Sequence, residues 1–260
     1  MVELYHWEPN GSFLKPLVAL YEKRVPFTSR WFDPIAGEQL ARGFPADTES
    51  SLQLEREGPI LVHDGAVISS SFFLLEYIND AVPGANLCPG GAYQHYRARA
   101  WGQVLTGVSA GVSVLGCAKY LAPRLQALEP GTFQKRFGTL EPLERRQAWA
   151  AFANGSWSEE ALAAVRERLK PPVRRIEAAL ARDPWLAGAE YSIADIDAFS
   201  TLNPLAPLAP DVINRGETPR VLEFLERMRA REAVRAALEL SRSGKPLEAF
   251  LPGAEASRWG

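Results

Sequence analysis

The sequence predicts a small α/β unit followed by an all-helical unit. Short apolar and β-branched runs typical of strands are concentrated before position 83, between segments with helical spacing. A stretch rich in proline and glycine, VPGANLCPGGAY, follows, and neither a helix nor a strand can cross it. Beyond this stretch the apolar residues recur almost everywhere at helical spacing. We therefore predict two domains, at residues 1–83 and 93–252.

The first unit is predicted to run strand, helix, strand, loop, strand, strand, helix. Residues 2–7 alternate as a strand does, and a Pro-Asn-Gly break ends them. The helix that follows has Ser12 as its expected N-cap and ends near Lys23. Residues 27–32 form the second predicted strand, and the polar connection after it contains one short helix at most, around residues 38–42.

The stretch from Gly58 onward carries the strongest local signals. A proline opens a β-branched run, Asp64-Gly65 predicts a type I′ hairpin, and a second apolar run returns. The serines at positions 69–71 then precede helical spacing and are favourable N-cap residues. A helix that starts there points bare N–H groups and a positive dipole end at its surroundings, which suits a carboxylate.

The second unit is predicted to be a set of packed helices. A long helix covers residues 96–121, an irregular segment with partial structure covers 123–143, and further helices cover 144–154 and 158–181. The last of these is expected to be interrupted or kinked at Pro171 and Pro172. Ser192 and Asp195 have the spacing of a capping box at the start of a buried helix.

Composition excludes several classes of function. A net charge of −2 argues against a partner that is nucleic acid or an anionic membrane. No apolar run is expected to reach the length of a membrane span. The 2 cysteines do not suggest a disulfide framework, so a reducing cytoplasm is the expected location. The 3 histidines lack metal-ligand spacing, so no metal site is predicted.

The order of elements, with a proline entering the third strand, resembles the thioredoxin-like half of a glutathione S-transferase. The helical part, with the motif WLAG…YSIADI, is similar to the C-terminal domain of that family. Three segments resemble the bacterial β-etherase branch: LKPLVALYEKRVPFTSRWFDP, PLERRQAWAAF and DPWLAGAEYSIADI. The resemblance implies an enzyme that uses glutathione as cosubstrate to cleave β-aryl ether bonds in lignin-derived aromatic dimers.

The resemblance also implies a catalytic residue at the start of the first helix. The matching segment is Asn10 to Phe13, in which Ser12 would stabilise the glutathione thiolate and the flanking Asn10 and Phe13 would help to bind the tripeptide. The physical chemistry agrees, because N–H groups at a helix N-terminus favour an anion and lower the pKa of a thiol. From the sequence pattern alone, Ser12 is only a helix cap.

The rest of the glutathione site follows from the same resemblance. Pro59 is predicted to follow a cis peptide bond, and the backbone of Ile60 would pair with the cysteinyl backbone of glutathione. Ser70 and Ser71 would bind the γ-glutamyl end, and Gln53 is a further glutathione-binding candidate.

Three departures from the family pattern keep alternatives open. Ser70 stands where a glutamate is usual, Phe13 where a polar residue is expected, and Gly58 where a valine normally precedes the proline. The loss of the glutamate removes one charge-assisted hydrogen bond to glutathione. The chain therefore has two further interpretations: a weakly catalytic or non-catalytic subunit of a heterodimeric β-etherase, or a general detoxifying transferase. The expected partners are an aromatic ether and either a second copy or a related transferase subunit.

Overall fold

The protein is a four-stranded sheet with helices that pack on it and continue into a helical bundle. The computed structural model describes residues 1–45, 58–69, 71–140 and 143–253. The strand order is β2-β1-β3-β4, with β1 parallel to β2 and antiparallel to β3, and with β3 antiparallel to β4. The strands are β1 (Val2–His6), β2 (Thr28–Trp31), β3 (Ile60–His63) and β4 (Ala66–Ile68). The predicted order of elements in this region is confirmed.

Local chemistry accounts for the connections in the sheet. A parallel pair needs a crossover, and helix α1 (Gly11–Lys23) supplies it between β1 and β2. The β3–β4 hairpin turns at Asp64 and Gly65, whose φ values of 48° and 88° are both positive, as a type I′ turn requires. The Gly58–Pro59 peptide bond is cis, which confirms the prediction for Pro59.

The helices of the remaining chain begin and end close to their predicted positions. Helix α3 (Ala92–Gly116) starts four residues before the predicted boundary, and it continues through a π-helical turn, Cys117–Leu121, into α4 (Ala122–Gln126). Helix α7 is not interrupted at Pro171 or Pro172. The bounds are α2 (Ser71–Ala81), α3 (Ala92–Gly116), α4 (Ala122–Gln126), α5 (Thr132–Phe137), α6 (Leu143–Ala153), α7 (Glu159–Leu180), α8 (Ile193–Leu208), α9 (Pro219–Arg229) and α10 (Glu232–Leu238).

The prediction that Ser12 caps α1 is wrong. Asn10 is the N-cap residue, with the extended backbone of φ −142° and ψ 152°, and Ser12 lies inside the first turn. Asn10 makes no capping hydrogen bond with its side chain: Nδ2 donates to the carbonyl of Ala249, and Oδ1, the atom that could accept from the first turn, has no partner among the described residues. Gln53 and Ser70 lie outside the described residues, and Ser71 is the first residue of α2.

Helix α8 lies at the centre of the molecule. It is buried from Ile193 to Leu205 and packs against α1, α2 and α3. The predicted capping box is present: the Ser192 hydroxyl accepts from the backbone and the Asp195 carboxylate accepts from the N–H of Ser192. The residues 92–126 form one helical stretch that is long and apolar enough to cross a membrane, contrary to the sequence-based prediction, but 56% of its most apolar window is buried inside the protein. A helix in the core of a protein can have the same length and apolar composition as a membrane-spanning helix.

Candidate functional site

A cavity of about 150 Å³ lies where the start of α1 faces the helical bundle. Its walls come from four parts of the chain: the β1–α1 connection with the first turn of α1, the middle of α3, the middle of α8, and a C-terminal segment. The lining residues are Trp7, Asn10, Gly11, Ser12, Phe13, Ser109, Ala110, Val112, Ser113, Ser200, Thr201, Pro204, Ala249, Phe250, Leu251 and Gly253.

The first turn of α1 makes one end of this cavity suitable for an anion. The N–H of Phe13 already donates to the carbonyl of Asn10, at 3.1 Å, but the N–H groups of Gly11 and Ser12 have no acceptor within the helix. Together with the positive end of the helix dipole, they favour negative charge beside the partly exposed Ser12. A thiolate placed here would be stabilised, which is the chemistry expected of Ser12.

Two buried polar atoms on opposite walls of the cavity lack partners. Asn10 is 3% exposed and donates from Nδ2 to the carbonyl of Ala249 at 2.9 Å. Its Oδ1, and the Oγ1 of the 2% exposed Thr201 on α8, have no hydrogen-bond partner among the described residues. Buried polar atoms are normally paired, so both atoms are candidates to contact a ligand.

The Phe13 side chain is part of the core and only borders the cavity. It is 4% exposed and meets the rings of Trp7 and Phe32 edge to face, with centroid separations of 6.3 Å and 6.0 Å. A Cβ on Gly58 would lie 3.0 Å from the Phe13 ring and 3.3 Å from Phe32. Two of the departures from the family pattern are therefore coupled: the large Phe13 occupies space that the missing side chain of Gly58 leaves open.

The structure brings only some of the predicted site residues to this cavity. Asn10, Ser12 and Phe13 line it, whereas Pro59 and Ile60, within the described part of the chain, are buried beside it and do not. The Phe13–Gly58 contact joins the two groups, because Gly58 directly precedes Pro59. The assignments of Gln53, Pro59, Ile60, Ser70 and Ser71 to glutathione stay predictions.

A buried ion pair holds α1 against α8 just below the cavity. The Lys15 Nζ lies 2.8 Å from Oδ1 of Asp197, and the two residues are 4% and 1% exposed. Burial raises the pKa of the Asp197 carboxyl, and the Lys15 ammonium acts in the opposite direction. Lys15 is one helical turn after Ser12, and Asp197 is one turn before Thr201, so the pair connects the two walls.

A second cavity of about 320 Å³ adjoins the first, with Trp7 and Ala249 on the walls of both. Its other walls carry charged side chains, among them Arg124, Arg242 and Lys245. The Arg242 guanidinium lies over the ring of Trp31 at 4.5 Å.

Sequence analysis missed several residues of the site. Ser109 and Ser113 lie in the C-terminal half of α3 and Thr201 in the middle of α8, and nothing in the sequence distinguishes them from the other polar residues of these helices. Phe250 belongs to a short C-terminal segment without strong periodicity. No local pattern marks these positions, since they meet only in the folded chain.

The comparisons with known proteins agree with the fold. The family model described as "Glutathione S-transferase, C-terminal domain" matches residues 159–227, which contain α7 and α8. The fold is that of a glutathione transferase: a small mixed sheet of four strands beside many helices.

One relative makes the assignment more specific, and a second shares the fold. Protein LigF from Sphingobium sp. (strain NBRC 103272 / SYK-6) is 28% identical over 248 residues, which cover 93% of this chain and 94% of LigF. The crystal structure of the β-etherase LigF from strain SYK-6 has a TM-score of 0.83 at 28% identity, covering 92% of this chain and 99% of that chain. Glutathione transferase F7 from Populus trichocarpa shares the fold, with a TM-score of 0.66 at 20% identity over 92% of this chain and 98% of that one. The chain is similar to glutathione S-transferases, and its resemblance to the β-etherase branch is confirmed.

Proposed function

We propose that this protein is an enzyme that uses glutathione to cleave β-aryl ether bonds in lignin-derived aromatic dimers. The observation that carries the proposal is the similarity to the β-etherase LigF along almost the whole chain. The placement of Ser12 in the first turn of α1, on the wall of a cavity between sheet domain and bundle, supports it. Both cysteines are free, which fits a reducing cytoplasm.

The chemistry is a nucleophilic substitution. The glutathione thiol loses its proton to solvent, and the thiolate is stabilised by Ser12 and the N–H groups at the start of α1. The sulfur attacks the carbon that carries the aryl ether, next to a ketone; the new C–S bond forms as the C–O bond breaks. The aryl oxygen leaves as a phenolate and takes a proton from solvent. The protein supplies thiol activation and positioning.

Replacement of Ser12 tests the proposal directly. With glutathione and 2-phenoxyacetophenone, we expect the purified protein to release phenol, and Ser12→Ala to lower kcat/KM at least about tenfold, because one donor to the thiolate is lost. The matched control is Ser109→Ala, which removes a hydroxyl from the same cavity on α3. No release of phenol by the unaltered protein, or equal rates for both variants, would contradict the proposal.

The second interpretation is a weakly catalytic subunit whose partner supplies the chemistry. The lack of a glutamate at position 70 favours it, because the α-ammonium of glutathione then loses a charged partner. Calorimetry of the isolated chain with glutathione separates the two: a Kd of tens of micromolar supports catalysis by this chain, and a millimolar Kd, about 2–3 kcal/mol weaker, supports the subunit role.

We further propose that the chain forms a dimer through the face shared by α2 and α3. Phe73, Tyr93 and Tyr96 are 63%, 71% and 64% exposed, and the two tyrosine rings stack at 6.1 Å. The Glu76–Arg99 ion pair links the two helices one turn from Phe73 and Tyr96, so the aromatic residues share one face. Exposed aromatic clusters of this kind are typical of protein interfaces.

The native mass of the purified protein tests this assembly. We expect a dimer, and Tyr96→Glu should shift it toward monomer because a carboxylate would be buried in the interface. The control is Leu143→Glu, at a 48% exposed residue on α6. A dimer that forms only after a related transferase is added would support the heterodimer, and a monomer under all conditions would refute the assembly.

A further inference from the structure

The C-terminal residues 241–253, called the strap here, lie across the Ser12 cavity and are attached at three places. The buried Glu8 carboxylate accepts hydrogen bonds from the Ser241 hydroxyl, from the N–H groups of Arg242 and Ser243, and from the Ser243 hydroxyl. Further along, Asn10 donates to the carbonyl of Ala249, and the Ser113 hydroxyl donates to the carbonyl of Leu251 at 2.6 Å. The strap thus connects the β1–α1 connection to α3.

Phe250 sits in a notch on α3. The ring is stacked on Tyr120 with centroids 6.0 Å apart and planes 5° from parallel, and the residue is only 7% exposed. A Cβ on Gly116 would lie 2.3 Å from the Phe250 ring, so only glycine leaves room for it. The π-helical turn that contains Tyr120 starts at the next residue. The Phe250 ring therefore has a defined binding position on this helical stretch, against Gly116 and Tyr120.

The size of the cavity is the reason to consider Phe250 further. Sites for drug-sized ligands usually have volumes of about 300–1,000 Å³. With Phe250 seated, the Ser12 cavity has a volume of about 150 Å³, about half of the lower end of this range. The larger cavity of about 320 Å³ lies on the other side of Ala249, so the strap stands between the two spaces.

We propose that Phe250 is a specificity-determining residue: seated on Gly116 and Tyr120, it restricts the Ser12 cavity to one aromatic ring, and a two-ring ether reaches Ser12 only when residues 249–253 leave the notch. The inference deepens the proposed function and rests on it for the identity of the two-ring substrate.

The attachment of the strap determines which part of it moves. Its first residues are held by four hydrogen bonds to one buried carboxylate, and hydrogen bonds to a charged group are the stronger kind. The part from Ala249 onward is held to other elements by two neutral hydrogen bonds and one ring. When residues 249–253 move away, the Asn10 amide loses its acceptor, the carbonyl of Ala249. The movement of the strap therefore changes the hydrogen bonding of a polar group close to Ser12.

Two substrates that differ in the leaving group test the inference. With glutathione, 2-chloroacetophenone contains one ring and releases chloride, whereas 2-phenoxyacetophenone contains two rings and releases phenolate at the same type of carbon. We expect Phe250→Ala to raise the ratio of kcat/KM for the two-ring over the one-ring substrate at least about fivefold, and Phe250→Leu to raise it less. An unchanged or lower ratio in both variants would overturn the proposal.

The control is Phe27→Ala, which removes a partly buried ring that meets Tyr21 at 5.3 Å, near the opposite end of α1. This variant reports the effect of a general loss of stability, and we expect it to leave the ratio unchanged. The Phe250→Leu variant keeps an apolar side chain in the notch. If Phe250→Ala fails to fold, the ratio of the two kcat/KM values can still be compared between Phe250→Leu and the unaltered protein.

Hydrogen exchange supplies a readout that does not depend on ether cleavage. S-methylglutathione and a two-ring conjugate, S-(biphenylmethyl)glutathione, are bound to the full chain, and exchange at the amides of residues 249–251 and 253 is measured. We expect faster exchange with the biphenyl conjugate only. If the protein does not cleave the ether but exchange is faster with the biphenyl conjugate only, the proposed function is refuted and the proposed role of Phe250 is supported. Equal exchange with both conjugates, or no binding of either, would overturn the inference.

Discussion

At the scale of single residues, Phe13 and Gly58 show how two unusual choices compensate for each other. The Phe13 ring fills the space beside Gly58, whose φ of 78° is itself unfavourable for residues with a side chain. Each residue taken alone counts against a glutathione site, but together they form a close contact between the start of α1 and the cis proline segment.

Substitution of Gly58 tests this compensation. We expect Gly58→Ala to lower the free energy of unfolding by about 2–4 kcal/mol, because the methyl group meets Phe13 and the backbone is strained. The matched control is Gly65→Ala, which has a φ of 88° but open space around its Cβ, and which isolates the cost of the backbone. In a Phe13→Leu background the excess over the control should shrink. Equal losses at both glycines, measured by urea unfolding, would refute the contact.

At the scale of elements, α8 depends on the carboxylate at its start. Asp195 is fully buried and accepts hydrogen bonds from the N–H groups of Leu186 and Ser192 and from the Ser192 hydroxyl. Burial nevertheless raises its pKa to about 6, since desolvation outweighs these three bonds. The capping box therefore joins the WLAG turn to α8 through a group that titrates near neutral pH.

This pKa predicts a pH dependence of stability. The folded pKa of about 6 lies above the ordinary value of 3.8, so between these two pH values the folded state holds a proton that the unfolded state has lost. The contribution of Asp195 is greatest below pH 3.8 and is lost as the pH rises through 6. We expect the stability difference between the unaltered protein and Asp195→Asn to fall from pH 4 to pH 7, as measured by urea unfolding. The exposed Asp211→Asn is the control, and an opposite slope would refute the assignment.

At the scale of the whole molecule, the two halves meet along α1. This helix packs against α8 and α10, and it contributes the buried Lys15–Asp197 pair as well as Glu22, which Arg231 contacts at 2.6 Å. The cavity is lined by both halves, so its shape depends on this junction.

Removal of one partner of the buried pair tests the junction. We expect Lys15→Met to lower the free energy of unfolding by about 3–5 kcal/mol, because the Asp197 charge is left in the interior. The double variant Lys15→Met with Asp197→Leu should recover most of this loss. Lys245→Met, which breaks an exposed pair with Glu248, is the control and should change stability by less than about 1 kcal/mol. A double variant as unstable as the single one would show that the ammonium has another role.

The sequence by itself determined those features that depend on neighbouring residues. The Asp64-Gly65 hairpin, the Ser192–Asp195 capping box and the order of strands and helices follow from turn chemistry, capping and periodicity, which act over a few residues. The resemblance to a family correctly indicated the cis bond before Pro59.

Only the tertiary structure decided how the cavity is enclosed and which residues compensate for one another. Asn10 is bonded to a carbonyl 239 residues away, and Ser113 to one 138 residues away. Contacts between such distant residues depend on the packing of whole helices, and no local pattern in the sequence records them.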